Sequence, residues 1–331
     1  MTAEIEVRSW LAFFEREYLR DFLHQGGAAV KFVVPGDPSA RELLEGEVDR
    51  RARLAGFVVA TVNAAATRIH MMDQLFHRVA EQIPWRDLAR EVVVRLARAD
   101  PMLNVPGVPP PEIGLSQWLG ASSGVDGEFV HGELSRALAN AVLKRHELSR
   151  DFRVAMTQLC RAELAGGEEG RTMSETIIQW LTGVNKSIAA VKPYQIFTRI
   201  GRTNARFLFE SLLDWLRFAG CSGLVLMLDI ERLTVTRNPK DGFVHYTKAS
   251  RLDAYEVLRQ FIDATDRMKG FLLLVVPSRD FLDESPGAPG ISEYQALQFR
   301  IYDEVRDREL ANPMASLVRI GSDARQEVPV G

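Results

Sequence analysis

The sequence predicts an α/β fold built on a parallel sheet. Three observations carry this: four short apolar runs rich in β-branched residues, amphipathic helical stretches between them long enough for parallel crossovers, and polar or Pro/Gly residues closing each run. The 331 residues suffice for one large domain or two smaller ones, and 46% hydrophobic with 26% charged residues argues against long disorder. A formal net charge of −3 gives no global attraction to nucleic acid or to an anionic membrane, so any such contact falls to a local basic face.

Trp10, Phe13, Phe14, Tyr18, Phe22 and Leu23 recur at helical spacing, and Gly26-Gly27 ends the pattern. Residues 30–34 (VKFVV) read as a buried strand that breaks at Pro35-Gly36. Residues 41–54 suit a helix, and residues 57–62 (FVVATV) a second strand after a Gly56 turn. Residues 71–99 are helical with a break at Pro84, while residues 100–111 hold five prolines and read as irregular. Between residues 115 and 196 nothing reads as a strand. Residues 133–145, 149–164 and 174–181 suit helices, with the AGGEEG stretch as a separator, which makes this region a helical insertion.

A long amphipathic helix over residues 203–218, closed by Gly220, leads into residues 223–229 (GLVLMLD), the strongest strand, ending in one carboxylate. Residues 271–276 (FLLLVV) form the fourth run and end at Pro277-Ser278. Residues 1–99 are thus expected to form the first half of the α/β core with an N-terminal helix. Residues 100–200 would be the proline-rich loop and helical insertion, and residues 201–331 the second half of the core. Pro35, Asn63, Asp229 and Ser278 should converge at the C-terminal sheet edge, where α/β proteins place their chemistry.

Cys160 and Cys221 stand outside any CxxC or Cys/His cluster, which leaves a disulfide framework or a zinc site unsupported and predicts free, buried thiols. His70 and His77 lie two helical turns apart, not at the one-turn spacing of a shared metal. The start MTAEIEVRSW lacks a basic region followed by an apolar one, and no run approaches the ~18 apolar residues of a membrane span. A cytoplasmic protein with no membrane partner is expected.

The strand-to-helix loop after the first run is Pro35-Gly36-Asp37-Pro38-Ser39-Ala40-Arg41-Glu42. A P-loop NTPase uses G-x-x-x-x-G-K-[ST] here: glycines admit backbone amides to the phosphates, lysine neutralises them, and the hydroxyl helps hold magnesium. In the best register Pro35 and Ala40 replace the glycines, Arg41 the lysine and Glu42 the hydroxyl residue, leaving Gly36 and Ser39 as small loop residues. Two prolines remove amide donors, and Asp37 and Glu42 add negative charge. On residues alone the segment also reads as an ordinary strand-to-helix loop.

Asp229 stands where a Walker B strand presents its magnesium-supporting aspartate, but Ile230 replaces the usual water-activating glutamate, and Glu231 is one residue further. Alternation along an extended chain gives no reason for the Glu231 carboxylate to reach the same point. Asp229 equally suits a turn cap or a partner for Arg232 or Arg237. Ser278, before Arg279-Asp280, sits where AAA+-like ATPases carry a γ-phosphate sensor and also suits a helix start. Arg300, in a helical stretch over residues 294–306, could be an arginine finger or a surface residue.

Three blocks in succession, EYLRDFLHQGGAAVKFVV, RTNARFLFESLLDWLRFAGCSGLVLMLDIERL and ISEYQALQFRIYDEVRDRELANPMASLVRI, resemble the ATP-binding proteins of BREX-type antiphage defence loci. The resemblance implies a P-loop NTPase, AAA+-like core with a closing strand at residues 316–320. It assigns Arg41 to the Walker lysine position, Asp229 to the Walker B aspartate, Ser278 to the sensor and Arg300 to the finger. Only Asp229 matches in kind. The family would bring ATP and magnesium, whereas the altered loop predicts neither, and a non-hydrolysing, ATPase-like scaffold or regulator of a defence or DNA-transaction complex is expected. Two alternatives stay open: an active ATPase with an unconventional loop, using Arg41 on phosphate and Asp229 with Glu231 around magnesium, and a DNA-binding module using arginine-rich helices. Expected partners are other defence-system proteins, a second copy of the chain, or DNA through the complex. Arg199, Arg202 and Arg206 are expected on a helical face toward a partner or DNA. The chain ends soon after Arg319, which leaves little room for a C-terminal DNA-binding domain.

Overall fold

Strands apolar along their whole length are stable only when both sheet faces are covered, which helical crossovers between parallel strands achieve. The computed structural model describes residues 4–110, 113–302 and 311–322, and it contains such a sheet. The strands are β1 (Ile5–Glu6), β2 (Ala28–Pro35), β3 (Phe57–Asn63), β4 (Gly223–Asp229), β5 (Phe271–Val276) and β6 (Leu317–Gly321). All pairs are parallel, in the order β1-β6-β2-β5-β4-β3. The core is therefore the expected P-loop NTPase-like α/β sheet, with one short strand, β1, added at its edge. Two residues are too few to leave a periodic signal.

In chain order the helices are α1 (Val7–Phe13), α2 (Pro38–Leu54), α3 (Met72–Ala80), α4 (Trp85–Arg98), α5 (Leu115–Ser123) and α6 (Gly127–Leu138). They continue with α7 (Arg150–Ala165), α8 (Gly167–Leu181), α9 (Ile188–Val191), α10 (Ala205–Phe218), α11 (Lys248–Asp263) and α12 (Gln295–Ile301). Two compact units result. The described residues of Met1–Leu75 and Ser222–Gly331 hold the sheet, and Phe76–Cys221 is helical.

The chain runs from β2 through α2 to β3 at the far edge, past the places that β4 and β5 fill. From β5 it crosses to the other side of β2 and enters β6. The winding direction thus reverses beside β2, which makes the crevice outside its C-terminal end a topological switch point, the usual ligand position in such sheets.

α2 starts where Pro38, with its φ already helical and no amide to satisfy, follows the N-cap Asp37. Ala40, Leu44, Val48 and Ala52 form its buried stripe at four-residue spacing, and Leu44 and Val48 each contribute about 1.5–3 kcal/mol through apolar burial. They pack in one cluster with Trp10, Leu11 and Phe14 and with Val225, Leu272 and Leu274 of the central strands.

The first helical segment matches its sequence reading in extent but changes winding. Val7–Phe13 is α-helical and Phe14–Phe22 is π-helical, with Leu23 N–H donating to Tyr18 O (3.1 Å). Wider winding sets Phe13 and Tyr18, five residues apart, edge to face at 6.1 Å, while Trp10 stacks on Phe14 at 5.3 Å.

In the helical unit, α8 begins at Gly167, inside the expected AGGEEG separator. Gly166 (φ 65°) makes the turn, and Glu168 and Glu169 then lie in the first turn of α8, where the helix dipole favours them. Glu163 of α7, 2% exposed, is bound by Arg86 (2.7 Å) and Arg90 (3.0 Å) of α4 and by Ser174 Oγ of α8 (3.3 Å). Such a carboxylate is tolerated in a core because each oxygen is paired. Cys160 is a buried free thiol, whereas Cys221 is only half-buried. Among the described residues no helix is long and apolar enough to cross a membrane.

Candidate functional site at the C-terminal sheet edge

β2 leaves the sheet at Pro35, and only Gly36 and Asp37 separate it from α2. Pro38, Ser39, Ala40, Arg41 and Glu42 are already helical, so no long loop wraps the switch point. Gly36 N–H donates to Ile320 O of β6 (2.7 Å), and a Cβ at Gly36 would meet Arg279 Nη2 at 2.7 Å and Ile320 O at 3.1 Å. A side chain here would have to push the Arg279 guanidinium aside and crowd Ile320 O.

Asp37 fills the helix start with its own carboxylate. One oxygen accepts from Ala40 N–H (2.9 Å) and the other from the Ser322 hydroxyl. These bonds, Ser322 first and Ala40 second, hold the Asp37 carboxyl below the usual aspartate range. Ser39 and Glu42 are exposed on the first turns of α2.

Arg41 points across the edge. Its Nη1 lies 3.3 Å from Asp229 Oδ1 and 3.6 Å from Glu45 Oε1, and its Nη2 lies 3.3 Å from Glu231 Oε2 and donates to Pro277 O (3.2 Å). One guanidinium thus stands among three carboxylates, with Nη1 buried at ion-pair distance and without a linear hydrogen bond. Asp229 is engaged on both oxygens: Oδ1 also accepts from Glu231 N–H (2.9 Å), and Oδ2 accepts from Asn63 Nδ2 (2.8 Å), its register partner across β3 and β4. Burial raises the Glu45 carboxyl above the ordinary range, Arg41 opposes that rise, and Asp229 adds to it.

The predicted convergence can be followed residue by residue. Asn63 and Asp229 touch, and Ser278 Oγ lies 3.1 Å from Thr234 Oγ1 in the turn after β4. Glu231 does reach Arg41 along with Asp229, because the chain leaves β4 in a tight 3₁₀ turn, not as extended strand. Asp229 caps that turn, whereas Arg232 pairs with Asp241 (2.7 Å). Arg300 lies on α12 with its Nε on Asp263 Oδ1 (2.9 Å); residues 303–306 of its expected helix lie outside the described residues.

The arginine-rich helical face requires a correction. Arg206 is on α10, but Arg199 and Arg202 lie on the non-helical connection before it, both exposed, because Asn204 folds that connection back by accepting from Gly201 N–H and donating to Arg199 O (2.8 Å each). Glu45 and Ser322 were missed by sequence reasoning. Glu45 carried a usable signal, four residues after Arg41 on one helix face. Ser322 carried none, since its contact comes only from the placement of β6. Among the described residues no group of three or more His, Cys, Asp or Glu side chains is arranged to hold a metal ion.

A family model described as BREX system ATP-binding protein BrxC/D matches residues 125–328, more than half of the chain. No curated protein and no solved structure matches it.

Proposed function

The chain belongs to this family of BREX system ATP-binding proteins, and from that premise we propose that it is a non-hydrolysing, ATPase-like subunit that scaffolds or regulates the antiphage defence complex. The observation that carries the reading is the position of Arg41. Its guanidinium lies against Asp229 and Glu231, the two carboxylates that would serve a magnesium ion.

The family implies Mg·ATP, and the residues at the β2 edge do not fit it. Pro35 and Pro38 have no amide to offer, Gly36 N–H is spent on Ile320 O, and Ala40 N–H on Asp37. A polyphosphate would have to displace the Asp37 carboxylate from the helix start and lie beside it. No hydroxyl stands at the magnesium-binding position, which Glu42 fills. Arg41, Asp229 and Glu45 here stabilise the edge itself, joining α2 to β4.

Steady-state assays of the purified chain should detect no magnesium-dependent ATP turnover, and Arg41→Lys should create none because the other loop residues remain. A rate abolished by Asp229→Ala would contradict the reading. Affinity capture from the native host should recover other BREX components. A monomer that captures none at low salt would remove the scaffold role.

A further inference from the structure

We propose that residues 186–207 of the helical unit form a binding face for single-stranded nucleic acid, a function independent of the nucleotide edge. Between Glu175 and Glu210 the chain carries Lys186, Lys192, Arg199, Arg202 and Arg206 and no acidic residue, in a protein of net charge −3. Chance placement on a solvated surface would mix signs, as it does on α2 and α11.

The connection that presents these residues is fixed from beneath. Asp151, 5% exposed, accepts on Oδ2 from Phe197 N–H (3.2 Å), Thr198 N–H (2.8 Å) and Thr198 Oγ1 (2.6 Å). Trp180 Nε1 donates to Thr198 O (3.0 Å), and Asn204 closes the next turn. Gln195 is held at φ 65°, left-handed backbone that a non-glycine residue adopts only when its surroundings impose it.

The Asp151 carboxylate is therefore consumed inside, and the exposed charged residues of the segment, Lys186, Lys192, Arg199 and Arg202, are all cations. Phe197 remains 48% exposed with the Arg150 guanidinium 5.3 Å from its ring centroid, and Arg150 is itself exposed. An open ring beside a guanidinium, followed by Arg199 and Arg202 on a preformed connection, is the pairing that binds strands by base stacking and phosphate contact. Base stacking makes binding depend on Phe197 as well as on the cations, a dependence that polyglutamate, binding through charge alone, does not share.

The test is fluorescence anisotropy of the full chain with a labelled oligothymidylate over a salt series. Phosphate contacts by Lys192, Arg199 and Arg202 predict a log–log salt slope of about −2. Replacing Arg199 and Arg202 together by Ala should remove about 1.4 from that slope and weaken binding roughly 20-fold at about 0.1 M salt. Phe197→Ala should weaken binding roughly 5- to 150-fold with the slope unchanged. Arg136→Ala, on the exposed face of α6, should change nothing, and all variants should keep the parent melting temperature. Absence of binding at low salt would overturn the proposal. So would equal loss in Arg136→Ala, equal competition by duplex DNA, or displacement by polyglutamate with no effect of Phe197→Ala, the last indicating an acidic protein partner.

Discussion

Arg41 shows how one side chain can tie a sheet edge together. A lysine there would be a mobile point charge free to follow a phosphate, whereas the planar guanidinium divides its donors between Pro277 O and the carboxylates of Asp229, Glu231 and Glu45. With its side chain only 20% exposed, Arg41→Ala should cost about 1–3 kcal/mol in urea unfolding, because the carboxylates lose their cation. Arg300→Ala breaks a surface pair and should cost about 0–1 kcal/mol. The Arg41→Ala deficit should depend on pH with a definite sign. Glu45 already sits above its ordinary 4.5 through burial, and losing Arg41 raises it further. A raised carboxyl contributes stability below the unfolded value that is lost as pH rises through the folded one, so the deficit should be larger at neutral pH and narrow toward about 4.5. A deficit that widens on acidification would show that Glu45 does not feel Arg41.

Among the elements, the core strands were legible because β4 and β5 are nearly unbroken apolar runs and β2 and β3 are interrupted internally only by Lys31 and Thr61. Boundaries were less legible where a short-range contact decides them. α2 starts at Pro38, three residues before the expected helix over residues 41–54, since the Asp37 cap fixes the first turn. The same cap leaves only Gly36 and Asp37 between β2 and α2, a short connection that periodicity did not reveal. Two glycines test this level of description. Gly223 opens β4 at φ 145°, and an added Cβ would sit 1.8 Å from Gly270 O, the acceptor of Leu224 N–H. Gly223→Ala should therefore cost ~3 kcal/mol or more. Gly46, mid-helix in α2 with open space around it, should stabilise by about 0.5–1 kcal/mol when replaced by Ala. Chemical denaturation of both variants measures this, and equal effects would contradict the assigned register of β4 and β5.

For the whole molecule, the parallel sheet follows from the apolar runs and the helices between them, whereas the strand order that makes the switch point does not, and the family match agrees with the resemblance of the three sequence blocks. The resemblance already brought Arg41, Asp229 and Glu231 to one edge, but their direct pairing and the bond to Pro277 O were not legible, because α2, β4 and the turn after β5 meet only through the crossover pattern. The non-helical placement of Arg199 and Arg202 was hidden for the same reason: Asn204 and Asp151 set that connection by contacts without periodicity. At the C-terminal edge beside β2, Asp37 holds the start of α2 and Arg41 pairs with Asp229. The most direct measurement is equilibrium dialysis of the purified chain against ATP with and without magnesium. The account predicts no retained nucleotide in either condition; stoichiometric, magnesium-dependent binding lost in Asp229→Ala would contradict it.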